Sequence, residues 1–205
     1  MKLDKRLVRY YLKYFKHHKP NPTRFEFNDF YKNHAIDVKG KVLHAGGGRD
    51  VDKQGDFYEF YFKNADSYKT LDIAGRRDFD CSITDMNLIE DRSFDCVFSN
   101  AVLEHIKDVD DAVSEVFRIL RPGGVFLFGV PFNCPYHGHY PDDYWRFSLG
   151  CVFELIDGLF DVDTIRSIGD YSCFNLDDRL KMYSGCDNRF GCYGWAVKAI
   201  KLKRK

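Results

Sequence analysis

Three histidines stand where they could take a proton from a substrate. His105 lies in Leu103-Glu104-His105-Ile106, and His137 and His139 lie in the run from Pro131 to Ser148. Imidazole suits such work because its unperturbed pKa is about 6.5. Around His137 and His139 the chain gathers the acids Asp142 and Asp143, the cation Arg146 and the flat aromatics Tyr136, Tyr144 and Trp145. A second group of residues suits a nucleotide-like ligand. Gly46, Gly47 and Gly48 follow the apolar run Val42-Leu43-His44-Ala45, and glycine lets a turn at a strand end approach a ligand closely. Asp72 closes Tyr68-Lys69-Thr70-Leu71-Asp72, where a carboxylate can take two ribose hydroxyls or merely solvate a strand end. The dinucleotide fingerprint G-x-G-x-x-G is incomplete, since Val51 stands at its third glycine, so a cofactor without a pyrophosphate fits better.

The elements that must carry these residues can be read from hydrophobic spacing. Strands are expected at Lys41–Ala45, Tyr68–Ile73, Phe94–Ser99 and Val125–Val130, with a helical stretch near Phe57–Asn64. A helix from Val109 is capped by Asp108, buries Val109, Ala112, Val113, Val116, Phe117 and Leu120, and ends at Pro122-Gly123. Ser148 caps a further helix through Ile156, Gly158 stops it, and Phe160–Ile165 and Gly194–Leu202 form two closing strands. Before the first strand, Leu7, Val8, Tyr11, Leu12 and Phe15 give an amphipathic helix with a basic opposite face, followed by an aromatic-rich connector through Phe30. Alternating strand and helix specify an α/β fold with a largely parallel sheet covered on both faces. The segment Ser167–Gly191 is either a lid or a long connection.

The 205 residues suffice for one α/β core, read as a single domain over 1–205: a helical extension over 1–40, a cofactor-binding core over 41–132, and a substrate-side segment with closing strands over 133–205. Lys+Arg and Asp+Glu both number 31, so no net field draws in a polyanion, and no stable nucleic-acid binding is expected. No apolar run is long enough to cross a bilayer and the first twenty residues are too charged for a secretory signal, which points to a cytoplasmic protein. Seven scattered cysteines without CxxC spacing suggest reduced thiols and no zinc.

The glycine turn, Asp72, the stretch Asn100-Ala101-Val102-Leu103-Glu104-His105-Ile106 and Leu120-Arg121-Pro122-Gly123-Gly124 together resemble the class I S-adenosylmethionine-dependent methyltransferases, from about Val42 to Phe132. The resemblance implies a Rossmann-like, doubly wound, seven-stranded sheet whose last strand is antiparallel, and S-adenosyl-L-methionine as cofactor, leaving as S-adenosyl-L-homocysteine. It implies that Gly46, Gly47 and Gly48 lie under the methionine and ribose, that Asp72 with its neighbour Ile73 holds the ribose, that Ser82 and Ile83 flank the adenine, and that Asn100 and Ala101 line the methionine end. His44, also in the turn, stands where the family has an acid, Asp50 where it has a glycine, and Ser82 where it has another acid. Asp50 or Asp80 could replace a lost carboxylate.

The stretch His139, Pro141, Asp143, Tyr144, Trp145, Arg146, Phe147 and Ser148 is similar to the H-x-P-x-D-Y-W-R-F-[ST] run of methyltransferases linked to polysaccharide and sugar modification. That similarity implies O-methylation of a sugar hydroxyl in a glycan or nucleotide-sugar. Tyr136, Asp142, Tyr144, Trp145 and Arg146 would form the acceptor wall, rings meeting C–H faces and charged groups meeting hydroxyls. His139, oriented by Asp142 or Asp143, leads His137 and His105 as the base. His105 could equally fix its loop, Trp145 and Tyr144 could be core, and Arg146 could simply pair with a carboxylate. Adjacent acids rarely converge on one ion, so no metal is expected. The alternatives are an RNA or small-molecule methyltransferase, favoured if the basic ends form one patch, or a non-catalytic S-adenosylmethionine-binding fold. The chain's size is compatible with one unit of a larger multi-enzyme polypeptide, or with a dimer.

Overall fold

Along the central strands, side chains point alternately to the two faces, and the sequence fills both with apolar groups. In the computed structural model, which describes residues 22–47, 50–52, 54–74, 77–134, 136, 142–169 and 192–203, these strands make one sheet. The elements run α1 (Pro22–Ala35), β1 (Gly40–Ala45), a 3-10 turn (Tyr58–Tyr61), β2 (Ala65–Asp72), β3 (Phe79–Asp80), β4 (Phe94–Asn100), a second 3-10 turn (Leu103–His105), α2 (Val109–Ile119), β5 (Leu120–Pro131), α3 (Leu149–Ile156), β6 (Phe160–Ile168) and β7 (Gly194–Lys201). The seven strands are ordered β3-β2-β1-β4-β5-β7-β6. The β1–β2, β1–β4, β2–β3 and β4–β5 pairs are parallel, and the last strand, β7, runs antiparallel to both β5 and β6. This is the doubly wound, Rossmann-like sheet expected. The carboxyl ends of β1, β2 and β4 therefore open on the same edge, where such folds bind ligands.

On one face Leu43, Val97, Phe126 and Phe128 pack with Ala112, Val113, Val116 and Ile119 of α2 and with Val152 and Ile156 of α3. On the other, Val42, Cys96, Phe98 and Leu127 pack with Phe27, Phe30 and Tyr31 of α1 and with Tyr58, Tyr61 and Phe62. Neighbouring residues of one strand thus enter different cores, which is the two-residue period of a strand buried on both sides.

Several local expectations change. The aromatic connector ahead of β1 is instead helix α1 over Pro22–Ala35. Pro22 is tolerated because the first helical turn needs no N–H, and Phe27, Phe30 and Tyr31 fall three and four residues apart on the face that meets the sheet. Between β1 and β2 the helical stretch shrinks to a 3-10 turn. The side chain of Asp108 makes no cap hydrogen bond to α2. That helix ends at Ile119, and the chain enters β5 at Leu120, so Pro122 and Gly123 begin a strand rather than a turn. Ser148 does cap α3, its Oγ accepting from Cys151 N at 3.2 Å, and Gly158 at φ +66° follows. The amphipathic stretch near the amino end, Gly48, His137, His139 and most of Ser167–Gly191 lie outside the described residues.

Candidate functional site

At the carboxyl edge of β1, β2 and β4 lies a cleft of about 340 Å³, lined by Gly46, Asp72, Ile73, Ser82, Ile83, Ala101, Val102 and His105, among others. Gly46 makes it possible. It sits at φ +78°, and any Cβ there would overlap the Val102 isopropyl group. The N–H groups of Gly46 and Gly47 both donate to Leu71 O, at 2.8 and 3.1 Å, which ties the turn to β2 and directs those donors to protein rather than ligand. Across the cleft, Ala101 holds the left-handed conformation at φ +56°, a strained state for a residue with a Cβ and one that clusters at functional sites. Asp72 closes β2, its Oδ1 accepting from Ala74 N at 3.1 Å, and the exposed side chain of Ile73 follows it. The Ser82 hydroxyl accepts from Thr84 N at 3.2 Å, shaping the turn that carries Ile83. The lining is mostly apolar, with a carboxylate at one strand end, and the volume falls in the range of small-molecule sites.

Of the residues expected at the cofactor, six are together in this wall: Gly46, Asp72, Ile73, Ser82, Ile83 and Ala101. His44 and Asn100 are elsewhere. His44 is buried on the opposite face of β1, against Phe98 and Tyr58. Its Nδ1 lies 2.8 Å from Asp50 Oδ1 and 2.9 Å from the Tyr68 hydroxyl, and that hydroxyl also donates to Asp50 at 2.7 Å. Burial, and then Asp50, raises the Tyr68 phenol well above its ordinary range. Asp50 is thereby spent inside the fold, and neither it nor the exposed Asp80 lines the cleft. Asn100 likewise turns away: its Oδ1 accepts from Tyr31 at 2.9 Å and its Nδ2 donates to Tyr58 at 2.9 Å. These groups hold α1 and the 58–61 turn to β4.

The loop after β4 joins the cleft to the expected acceptor wall. His105 lines the cleft, and its Nδ1 lies 2.8 Å from Asp142 O. A carbonyl can only accept, so the neutral ring carries its proton on Nδ1 and presents Nε2 as the basic nitrogen. The same loop is pinned by Tyr144 N and Trp145 N, both donating to Glu104 O at 2.7 and 3.2 Å, and by Trp145 Nε1 donating to Ile106 O at 2.8 Å. Tyr136, Tyr144 and Trp145 are 66%, 49% and 40% exposed, so they form surface and not core. Phe147 is the buried member of that run, with its N–H on Pro131 O. Arg146 forms a two-pronged pair with Asp143, at 2.5 and 2.6 Å, and also donates to Cys134 O, and the pair raises the pKa of the guanidinium. Asp143 holds Arg146, while His139, which Asp142 or Asp143 was expected to orient, lies outside the described residues, and Asp142 meets His105 through its backbone carbonyl. Asp142 Oδ2 accepts from the Tyr144 hydroxyl at 3.3 Å.

Two residues of this region escaped the sequence reading. Glu104 is buried, and its carboxyl is pushed up to about 7, first by burial and then by Asp143, against the opposing pull of its own backbone N–H, Arg24 and Arg146. Its only sequence signal is the acid preceding His105. Arg24 of α1 reaches the Tyr58 hydroxyl, from a segment that reads in the sequence as a connector. Among the described residues no cluster of His, Cys, Asp and Glu could hold a metal, and no helix is long and apolar enough to cross a membrane.

Comparison with known proteins meets this geometry. Residues 58–128 match the methyltransferase domain family. A Mycolicibacterium smegmatis protein named "Probable S-adenosylmethionine-dependent methyltransferase/" is 51% identical over 130 residues, covering 54% of this chain and 48% of its own. The chain thus spans about half the length of that curated relative. Burkholderia thailandensis 1,6-didemethyltoxoflavin-N1-methyltransferase, solved with S-adenosylhomocysteine and its acceptor, aligns with a TM-score of 0.62 at 16% identity over 88% of this chain and 78% of its own. The [4+2]-cyclase SpnF aligns with a TM-score of 0.60 at 14% identity, covering 86% and 80%. At such identities the solved structures speak for the fold alone. Fold, cleft and matched segment are similar to those of S-adenosylmethionine-dependent methyltransferase domains, whose cofactor is S-adenosylmethionine.

Proposed function

We propose that this chain is an O-methyltransferase that moves a methyl group from S-adenosylmethionine to a hydroxyl of a sugar in a glycan or nucleotide-sugar. The observation that carries the reading is the loop Leu103–His105 and its neighbour Ile106. It lines the cofactor cleft through His105 and Ile106, and through Asp142 and Trp145 it is bonded to a wall of exposed aromatic and charged groups. When bound, S-adenosylmethionine supplies a methyl group already activated on a sulfonium. The chain must hold the cofactor, hold the acceptor and take one proton. Asp72 takes the ribose hydroxyls, the turn at Gly46 admits the cofactor closely, and Ile73 and Ile83 offer apolar flanks to a flat base. Tyr136, Tyr144 and Trp145 give rings to the acceptor's C–H faces, and Asp142 and Arg146 give oriented polar groups. His105 Nε2 accepts the hydroxyl proton, because Asp142 O holds the other nitrogen protonated.

The described part of the basic carboxyl-terminal run supports a neutral acceptor over a polyanion. Lys198 pairs with Asp163 at 3.0 Å, and Lys201 is buried, its Nζ donating to Phe117 O and Leu120 O. The test is methyl transfer from radiolabelled S-adenosylmethionine to a panel of deoxysugar glycosides, nucleotide-sugars, RNA and heteroaromatic small molecules, with Asp72→Ala as control. Label on sugars that the substitution abolishes is the expected result. Label on RNA or heteroaromatics alone overturns the sugar reading, and S-adenosylhomocysteine binding without transfer to any acceptor overturns the enzymatic one.

A further inference from the structure

The groups around Glu104 come from several elements at once. Arg24 and Tyr31 reach it electrostatically from α1, Cys134 from the end of β5, Asp143 and Arg146 from the wall segment, and Tyr193 from the residue before β7. Its own carboxylate oxygen Oε1 lies 3.9 Å from Nε2 of His105, the nitrogen left basic by the bond to Asp142 O. A carboxylic acid 99% removed from solvent is expensive to ionise, and a chain that only needed to fill this space could do so with an apolar group. The loop is also held rigidly, since both Tyr144 N and Trp145 N bond to the Glu104 carbonyl.

We infer that Glu104 is a positioning residue for the reaction: its carboxylate sits behind His105 Nε2, stabilises the imidazolium formed when that nitrogen takes the acceptor's proton, and so sets the strength of the base. This deepens the sugar O-methyltransferase reading and rests on it. In the step, the acceptor O–H bond breaks and its electron pair stays with the oxygen, which bonds the methyl carbon. The C–S bond breaks with its pair going to sulfur, and the proton bonds to the Nε2 lone pair. The imidazolium then pairs with the Glu104 carboxylate until the proton leaves to solvent. The arrangement works in the ionised form of Glu104, whose carboxyl titrates close to neutrality because of its burial.

The test separates the dyad from the acceptor. The whole chain, labelled with nitrogen-15 histidine and saturated with S-adenosylhomocysteine, is titrated by NMR as wild type and as Glu104→Gln. The expected result is an Nδ1-protonated tautomer for His105 in both, with its titration midpoint lower by roughly half a unit or more in the variant. An unchanged midpoint overturns the inference, whatever the acceptor proves to be. With a methylated acceptor in hand, Glu104→Gln lowers kcat about tenfold or more at pH 7, leaves KM for S-adenosylmethionine within about twofold, and shifts the acidic limb of the kcat profile to lower pH. An unchanged kcat and profile likewise overturns it. If the midpoint shifts but no sugar is methylated, the dyad stands and the acceptor assignment falls. Should Glu104→Gln fail to fold, Glu104→Asp carries the same titration, with a smaller shift in the same direction expected and none refuting the inference.

Discussion

The two faces of β1 and β4 take residues from the same two motifs to different ends. On the open side, Gly46, Ala101 and Val102 shape a cleft that Asp72 and His105 complete. On the other, His44 and Asn100 are stitched into a closed set with Asp50, Tyr68, Tyr31 and Tyr58. His44 and Asn100 lie within the strands, whereas Gly46, Ala101 and Val102 lie just past the strand ends, where the chain leaves the sheet and borders the cleft. Membership of a motif therefore does not imply contact with the ligand. The closed side does mechanical work: it fixes α1 to the strand end from which the loop to His105 departs.

That contrast can be broken in graded steps. The largest effect belongs to the loop: His105→Ala should lower kcat by about 10²–10⁴ while S-adenosylhomocysteine affinity by calorimetry stays within about threefold. A variant retaining near wild-type turnover would show that the base lies elsewhere. Next, Gly46→Ala must displace Val102 and adopt a strained φ, so S-adenosylhomocysteine affinity should fall about a hundredfold, with about 1–3 kcal/mol lost from stability in denaturant titration. Asp72→Ala should weaken the same ligand by about 10–100-fold, as expected for lost hydrogen bonds to a charged group worth about 1.5–3 kcal/mol, with little change in melting temperature. Asn100→Ala should do the converse. It leaves the Tyr31 and Tyr58 hydroxyls without their shared partner and should cost about 1–3 kcal/mol of stability, with ligand affinity within about threefold. If Asn100→Ala weakens the ligand as much as Asp72→Ala, the two-sided division fails.

The most gradual effect is a pH dependence. Glu104 is raised in the folded state from the ordinary 4.5 to about 7, so between those values the native chain holds a proton that the unfolded chain has released. Its contribution favours folding at low pH, is lost progressively as pH rises through that window, and is flat above it. Relative to Glu104→Gln, the wild type should therefore lose stability between about pH 4.5 and 7 by something on the order of 3 kcal/mol, read from denaturant midpoints. A parallel pair of curves would mean that Glu104 is not buried as a titrating acid.

The largely parallel α/β sheet was legible in the chain from local chemistry, while its antiparallel last strand came with the family resemblance. Period-two apolar runs make strands, Ser148 carries its own cap, Gly46 permits a turn that a Cβ would block, and Asp72 closes a strand whose end must face the ligand edge. Helix α1 was illegible for a different reason. Its propensity is weak, and Phe27, Phe30 and Tyr31 become a helical face only because Phe98 and Leu127 of the sheet are there to receive them. His44 and Asn100 read as ligand contacts because their positions along the chain are those of the motif, but their side chains turn into the aromatic core on the face where Tyr31, Tyr58 and Phe98 pack.

What the sequence determined by itself, then, is the backbone plan and the kinds of groups brought to the carboxyl edge of the sheet. Tertiary structure alone decided how those groups are paired. Asp142 offered its backbone carbonyl to His105, and Glu104 was buried beside that ring at a cost in ionisation. The bond between His105 and Asp142 joins residues 37 positions apart, and such a contact exists only once the chain has closed on itself.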